Sequence, residues 1–338
     1  MPENTGRIAP IDWRALVAEA IRRRKSEKLT QREHAALASV SIPTIAAFER
    51  GERTLTLAKA FDILRVVGLV KESAGEGAQE AFVRDAFDRW RTLTSELPKD
   101  SYGRFPHGFY RIDYALDGNL KQFALHQLEA VLRQAEVRYT AWPVFRAPPR
   151  QEIAPYEMDG TLECWLSPNA PTIERSFLDA AHCDFWRATP EGRMFLIRGY
   201  QEDGQETFDP RTVFDTTLPI WRMGEALVHA GRLAALLKGS QSESIIVKFR
   251  TLYTGLLGRV LRPWANPHAD LGVRGMAARS DEALVETEAP AEKIEGNLAE
   301  YLFPLIASLY ERFGVTGLST DFVQAEVQRL QTSRMHND

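Results

Sequence analysis

The sequence predicts an α+β protein that has a small all-α N-terminal domain followed by a larger C-terminal domain of mixed α and β structure. Apolar residues recur with helical spacing through the first hundred residues, whereas short β-like runs and helical runs alternate after that. A chain of 338 residues is also too long for one small domain. The predicted boundaries are 1–70 for the N-terminal domain, 71–99 for a linker and bridging helix, and 100–338 for the C-terminal domain.

Five helices are predicted in the first hundred residues, at about 11–26, 30–38, 41–50, 56–68 and 78–96. The first and the fourth carry apolar side chains three or four residues apart. These side chains are Trp13, Leu16, Val17, Ala20 and Ile21 in the first helix, and Leu57, Ala60, Phe61, Leu64 and Val67 in the fourth. The fifth helix follows the polar, small-residue segment KESAGEGAQ, and it is expected to bridge the two domains or to pair with a second subunit.

The segment 29–53, LTQREHAALASVSIPTIAAFERGER, has the layout of two short helices joined by a tight turn. Thr30 is a preferred N-cap, and Glu33 three residues later completes a capping box. A helix is therefore predicted to begin at Gln31 and to end near Ser39. Two such helices joined by about three residues can place the second one in the major groove of DNA.

The second helix of this motif is predicted to begin at Ser41 or Thr44. Ile45 and Phe48 lie three residues apart and should form its buried face. Gly51 follows the helix and can adopt the left-handed conformation that ends it.

The residues at the helix ends and the turn of this motif follow a family pattern. They are Thr30-Gln31, Ala35, Val40, Ser41, Thr44, Ile45 and Glu49-Arg50-Gly51-Glu52. Over residues 10–70 they resemble the Xre/Cro/phage-repressor class of helix-turn-helix proteins, and the spacing from Thr30 to Gly51 fits without an insertion. The resemblance implies a transcription regulator that binds double-stranded DNA.

The base-facing positions that this resemblance implies are largely apolar. They are Ile42, Pro43, Ala46 and Ala47, with Ser41 and Thr44 beside them. Apolar side chains cannot form bidentate hydrogen bonds with bases, although they can contact thymine methyl groups. Two interpretations follow: the domain binds DNA largely through phosphates and DNA shape, or it has become a packing or protein-binding unit.

Phosphate contacts are predicted for side chains at the start of the first motif helix and around the edges of the motif. These side chains are Gln31, Arg32, Arg50, Arg53, Arg24 and Lys25. The alternative for each of them is a solvated basic surface. Glu49 is expected to hold the motif together by pairing with a nearby arginine.

Charge and composition agree with this domain assignment. Residues 1–72 contain 13 Lys and Arg against 9 Asp and Glu, a balance of +4, which leaves −8 for the remainder of a chain whose net charge is −4. A basic domain joined to an acidic one suits a DNA reader with a regulatory domain. No apolar run is long enough for a membrane span, no signal-peptide pattern opens the chain, and there are only two cysteines. A cytoplasmic protein is expected.

The C-terminal domain is predicted to contain strands near 108–116, 136–142, 161–166, 193–200, 243–252 and 283–288, and helices near 119–135, 211–237, 293–314 and 319–332. Its segments DFWRATPEGRMFLIRGYQED, FDTTLPIWRMGEALVHAGRLAALL and FRTLYTGLLGRVLRPWANP resemble the C-terminal region of bacterial Schlafen-like, AlbA-type proteins. That resemblance implies an architecture and no activity.

One polar stripe in this domain is a candidate ligand site. Arg222, Glu225, His229 and Arg232 recur along one side of a predicted helix. They could line a pocket in which an arginine binds an anion and His229 titrates near neutral pH. Alternatively, they form the solvent face of an amphipathic helix.

Catalytic, metal and cofactor signatures are not found in the sequence. His182, Cys183 and Asp184 are adjacent, so along a strand they would alternate between faces; a buried cysteine beside a surface polar pair is expected. The predicted function is a DNA-binding regulator whose C-terminal domain dimerises and senses a small-molecule or protein effector. The alternative is a defence or mobile-element effector whose C-terminal domain acts on nucleic acid or nucleotides.

Overall fold

The chain divides into two structural units, residues 1–78 and 79–338, which are called here the N-terminal and C-terminal units. The computed structural model describes residues 12–38, 40–52, 55–70, 74–121, 123–167, 179–239, 243–268 and 276–333. The first unit is helical and the second combines helices with a large antiparallel sheet, so the predicted α+β class is confirmed.

Four helices build the N-terminal unit, and a fifth continues from it into the C-terminal unit. Their bounds are α1 Trp13–Ser26, α2 Gln31–Leu37, α3 Ile42–Glu49, α4 Leu57–Val66 and α5 Ala74–Thr94. Asp12 caps α1, because its Oδ1 accepts hydrogen bonds from the backbone N–H groups of Arg14 and Ala15 at 3.0 and 3.2 Å. The helices α1 to α4 lie close to their predicted bounds, while α5 begins four residues before its predicted start.

The core of the N-terminal unit joins α1, α3 and α4. Val17, Ala20, Ile45, Phe48, Ile63, Leu64 and Val67 are among its buried members. The Trp13 ring packs edge-on against Phe48, and its Nε1 donates to the Gly51 carbonyl at 3.1 Å. The predicted apolar stripe of α4 is only partly buried, since Leu57 and Phe61 remain 67% and 39% exposed.

The C-terminal unit is organised around a seven-stranded sheet in which every neighbouring pair is antiparallel. The strands are β1 Phe109–Asp117, β2 Tyr156–Met158, β3 Thr161–Trp165, β4 Phe185–Ala188, β5 Arg193–Gly199, β6 Val213–Asp215, β7 Ile246–Tyr253, β8 Val260–Arg262 and β9 Ala283–Pro290. The order in the sheet is β2-β3-β4-β5-β1-β7-β9, and β6 pairs with β8 in a separate parallel ribbon. The strand predicted at 136–142 is wrong, because that segment is irregular.

Helices cover both faces of this sheet. They are α6 Leu125–Ala135, α7 Leu218–Leu237, α8 Ala291–Ile294, α9 Leu298–Glu311 and α10 Thr320–Ser333, together with α5. Alternate residues of β5 belong to two different cores, as the pleat of a strand requires. Met194 and Leu196 join the core that contains α7, whereas Phe195 and Ile197 pack with the apolar residues of α5. Short 3-10 turns at Tyr102–Arg104, Gln151–Ile153, Ala180–His182 and Glu202–Gly204 complete the unit.

The amphipathic pattern of the C-terminal helix, with Phe322, Val323, Val327 and Leu330, makes it a second candidate subunit contact beside α5. Both helices, however, use their apolar faces within the chain. Phe82, Ala86 and Trp90 of α5 are buried on the sheet. Val323 and Leu330 of α10 are buried in the main core of the C-terminal unit. The prediction that these faces pair with a second subunit is therefore wrong. Across the described ranges, no helix combines the length and the apolar character that crossing a membrane requires.

Candidate nucleic-acid interface

Local hydrogen bonds set the start of α2, as the sequence predicts. The Glu33 Oε2 accepts from the Thr30 backbone N–H at 2.8 Å, and the Thr30 Oγ1 accepts from the Glu33 N–H at 3.2 Å. This reciprocal capping box is confirmed, and α2 begins at Gln31. The hydrogen bonds from Thr30 also lower the pKa of the Glu33 carboxyl. The carboxylate therefore remains charged at the positive end of the helix.

Residues at its two ends also determine where the second motif helix, α3, begins and stops. Ser41 is the N-cap of α3, and its Oγ accepts from the Thr44 N–H at 3.3 Å. Pro43 lies in the first turn, where a helix tolerates the missing N–H. Gly51 follows the helix with φ +75°, the left-handed conformation that was predicted.

The helix α3 has one buried side and one side open to solvent. Ile45 and Phe48 are buried, as predicted. The opposite side, called here the reading face, consists of Ser41, Ile42, Pro43, Thr44, Ala46 and Ala47. Its first three residues are exposed, with Ile42 at 47%, and the other three are half-buried. The six predicted base-facing residues therefore lie together on one short helix.

Arg24 is not a surface cation, and its assignment as a phosphate contact is corrected. Only 9% of the residue is exposed. Its Nε donates to the Glu49 Oε1 at 2.6 Å, and its Nη1 donates to the Leu29 carbonyl at 2.6 Å. The predicted role of Glu49 is confirmed, because this ion pair joins α1 to α3.

Glu49 binds a second predicted site residue. The Gln31 Nε2 donates to the Glu49 Oε2 at 2.6 Å, so the glutamine amide supports the packing of α2 on α3. Gln31 is nevertheless exposed at the first position of α2, where backbone N–H groups are available to an anion. A phosphate contact at Gln31 stays a prediction.

Lys25, Arg32 and Arg50 are exposed. Among the residues that the structure describes, neither Lys25 nor Arg32 takes part in an ion pair. Arg50 pairs with Glu52 at 2.8 Å, but both side chains are open to water, and such surface pairs are weak and easily exchanged. Arg53 lies outside the described residues. The phosphate role of these four residues stays a prediction.

Two further polar residues, which the sequence pattern does not indicate, connect the helices of this unit. The His34 Nε2 contacts the Ile63 carbonyl at 2.9 Å in the buried interior. The Arg23 Nη1 donates to the carbonyls of Val67 and Gly68 at 3.2 and 2.9 Å. Both contacts connect residues far apart in sequence, so local spacing carries no signal for them.

In the C-terminal unit, Arg222, Glu225 and His229 are buried, so the prediction of a solvent face is wrong for them. The Glu225 carboxylate accepts from the Thr140 N–H at 2.6 Å and from its Oγ1 at 3.0 Å. The Arg222 Nη1 donates to the Thr140 Oγ1 and to the Trp142 carbonyl, both at 2.7 Å. These side chains hold the irregular segment 136–150 in place.

His229 does not titrate near neutral pH, contrary to one sequence-based interpretation. Complete burial lowers its pKa to about 3, with a smaller contribution from the charge of Arg232. Its Nδ1 lies 2.7 Å from the Tyr114 hydroxyl. The neutral ring is therefore a core residue of this unit.

Arg232 lies apart from the other three residues of the stripe. Its Nη1 donates to the Glu136 carbonyl at 3.4 Å, and its Nη2 pairs with Glu295 at 3.1 Å. With Arg138 and Arg146 it lines an open surface cleft of about 670 Å³. The stripe of four is therefore divided between the interior and the surface.

The sequence also suggested that Asp184 belongs to a surface polar pair, and that expectation is wrong. Asp184 is fully buried beside Cys183, which is buried as predicted. Its Oδ1 accepts from the Arg198 Nε at 2.7 Å, and its Oδ2 accepts from the Trp142 Nε1 at 3.2 Å. In the part of the chain that the structure describes, no group of three or more His, Cys, Asp and Glu side chains could hold a metal ion.

Comparison with known proteins identifies the N-terminal motif. A helix-turn-helix family model matches residues 21–73, a range that contains α2, α3 and α4. The match confirms the helix-turn-helix prediction and agrees with an Xre/Cro-like type. No curated protein and no solved structure matches the chain. The resemblance of the C-terminal domain to Schlafen-like proteins has no support from these comparisons and stays a prediction.

Proposed function

We propose that this protein is a cytoplasmic, sequence-specific DNA-binding transcription regulator that acts as a homodimer. The helix-turn-helix of the N-terminal unit binds double-stranded DNA, and the C-terminal unit supplies dimerisation and effector sensing. The observation that carries the proposal is the exposure of the reading face on α3, a short helix whose other side is fixed by Ile45 and Phe48. A recognition helix needs such an arrangement in order to enter a major groove.

The chemistry of the reading face favours a particular mode of recognition. Ile42, Ala46 and Ala47 suit contacts with thymine methyl groups, and the hydroxyls of Ser41 and Thr44 suit a base edge or a phosphate. Because this set offers few base-specific hydrogen bonds, most of the affinity comes from phosphate contacts. Lys25 and Arg32, both exposed, supply positive charge for them.

The small number of base-specific hydrogen bonds that one reading face can form also favours dimerisation. One helix-turn-helix with an apolar reading face gains little from bases, whereas two linked copies raise the effective concentration at paired half-sites. The apolar faces of α5 and α10 are buried within the chain. Leu57 and Phe61 of α4 are exposed one helical turn apart, and they offer apolar surface to a second subunit.

The test is selection of random oligonucleotides with the purified full-length protein, together with light scattering of the same sample. We expect an enriched motif with two-fold symmetry and a dimeric mass at micromolar concentration. The matched variant Ile42→Glu puts a negative charge on the reading face and should lose the motif without unfolding. A monomer would overturn the homodimer, and the same motif from Ile42→Glu would overturn the role of α3.

A further inference from the structure

A small cavity lies inside the C-terminal unit, beside the first turn of α7. Its volume is about 20 Å³, enough for about one water-sized occupant. Tyr110, Tyr253, Arg222, Gln201 and Glu202 are among the residues that line it.

Two tyrosine hydroxyls at this cavity lack a hydrogen-bond partner among the described residues, although both residues are more than nine-tenths buried. They are the hydroxyls of Tyr110 and Tyr253, with 6% and 2% of each residue exposed. The Tyr110 hydroxyl also lies close to the Arg198 guanidinium, which lowers the pKa of Tyr110 against the larger, raising effect of burial. Buried polar groups in proteins are almost always paired, and an unpaired one costs about 1–3 kcal/mol. A third tyrosine at the cavity, Tyr200, differs because its hydroxyl donates to the Thr254 carbonyl at 2.8 Å.

The two arginines that line the cavity differ in how closely a carboxylate approaches them. They are Arg198 and Arg222. Arg198 is neutralised by Asp184, but Arg222 is 3.5 Å from its carboxylate partner Glu225. The Arg222 Nη2 makes only a long contact of 3.4 Å with the Gln201 Oε1. A guanidinium N–H group and two hydroxyls are thus available to an acceptor.

Glu202 is the acidic residue in the cavity wall, and its environment reduces its negative charge. Burial raises its pKa to about 7, with a further contribution from the carboxylate of Asp215 and opposition from the nearby Arg259. At neutral pH its carboxyl group therefore carries a proton much of the time. A protonated carboxyl group donates a hydrogen bond.

The proposed site does not depend on the N-terminus of α7. Asp215 already accepts hydrogen bonds from the backbone N–H groups of Thr217 and Leu218, and Pro219 has no N–H to offer. The site depends instead on the two unpaired hydroxyls and on Arg222.

We propose that this cavity binds a small monatomic anion of the size class of chloride. The anion accepts hydrogen bonds from Tyr110, Tyr253 and Arg222, and it satisfies the two buried hydroxyls. Polyatomic anions such as formate, nitrate and sulfate exceed a volume of about 20 Å³. The cavity lies within the C-terminal unit and its occupation is measured without DNA, so failure of this proposal leaves the proposed DNA binding untouched.

The test compares three single hydroxyl deletions, Tyr110→Phe, Tyr253→Phe and Tyr200→Phe, in the full-length protein. Thermal unfolding is followed as sodium chloride replaces sodium gluconate at constant ionic strength. We expect a saturable rise in Tm for the unmodified protein. Tyr110→Phe and Tyr253→Phe should each weaken the anion affinity about tenfold or more, which is the loss of one hydrogen bond to a charged group. Tyr200→Phe should retain the affinity.

The stability of these variants in gluconate alone distinguishes a cavity that binds an anion from a cavity that holds a water molecule. Removing an unpaired hydroxyl should leave Tyr253→Phe at least as stable as the unmodified protein, whereas Tyr200→Phe should lose stability together with its hydrogen bond. Equal destabilisation of the two variants, or the same anion dependence in all variants, would overturn the proposal. Crystals soaked in bromide should show an anomalous peak between Tyr110 and Tyr253, and its absence would likewise count against the site.

Discussion

Arg24 and Glu49 form an ion pair that joins α1 to α3, with 2.6 Å between the Arg24 Nε and the Glu49 Oε1. Both side chains are largely buried. Truncation of one partner therefore leaves a poorly solvated charge behind. The pair sets the position of α3 from its inner side.

Arg24→Ala should destabilise the N-terminal unit by roughly 3 kcal/mol, because Glu49 loses its buried partner. The adjacent substitution Lys25→Ala is a matched control, because that lysine is exposed, and its stability should change by about 0.5 kcal/mol or less. Native-state hydrogen exchange of the α1 and α3 backbone amides measures both. Equal stability of the two variants would show that the ion pair contributes nothing.

Lys25→Ala and Arg32→Ala should weaken DNA binding to a similar degree on all sequences. Each lost phosphate contact should lower the slope of log affinity against log salt by about 1. Binding isotherms between 50 and 200 mM salt (about the range where such slopes are measured) give this slope. Arg84→Ala, which removes an exposed cation from α5, is the control and should leave the slope unchanged. An unchanged slope in all three variants would contradict the phosphate assignment.

Under the proposed mode of recognition, the reading face contacts thymine methyl groups. Replacement of thymine by uracil at operator positions that face α3 should therefore weaken binding. Ile42→Ala should reduce the penalty for this replacement, since the smaller side chain loses the contact. Competition binding with the selected operator and its uracil counterparts measures the difference. A uracil operator that binds as tightly as the thymine operator would exclude methyl recognition.

Glu202→Gln should stabilise the protein at pH 8 and change little at pH 4.5. The folded-state pKa of Glu202 is raised to about 7, so the folded protein binds this proton more tightly than the unfolded chain does. The resulting stabilisation is complete below pH 4.5 and is lost as the pH rises through 7. Because the glutamine cannot ionise, the substitution should raise the free energy of unfolding by roughly 2–3 kcal/mol at pH 8. Glutamine retains the carbonyl oxygen that accepts from the Asp215 N–H.

The pH profile of this variant has a second expected feature. His229, whose pKa is lowered to about 3, acts in the opposite direction, because the unfolded chain takes up its proton below pH 6.5. In the unmodified protein the two effects offset each other between pH 4.5 and 6.5. Urea unfolding of Glu202→Gln should therefore show stability that rises with pH in this interval, and a flat profile would contradict the burial of His229.

The N-terminal unit was predictable because its signals are local. Thr30 with Glu33, Ser41 and Gly51 each act within four residues along the chain, and the structure uses them as the spacing indicates. Side-chain partners were less accessible to sequence reasoning. Arg24 belongs to a run of four cations, and only the packing of α1 on α3 separates it from the exposed Lys25.

The C-terminal unit was less predictable because long-range pairing decides its short strands. The strands β2, β6 and β8 have three residues each, too few for a periodic pattern. The predicted strand at 136–142 has a β-like composition but no partner strand. Its polar groups are instead satisfied by side chains of α7, which lies about 80 residues later in the chain.

The segment 136–150 behaves as part of the protein interior even though it has no regular secondary structure. Its backbone is bound by Glu225 through the Thr140 N–H, by Arg222 through the Trp142 carbonyl and by Trp186 through the Arg146 carbonyl. The Thr140 amide should therefore exchange with deuterium as slowly as the amides of the central strands. An alignment that treats this stretch as a tolerant loop would misjudge it, because an insertion there would disrupt contacts made by the most deeply buried helix of the unit.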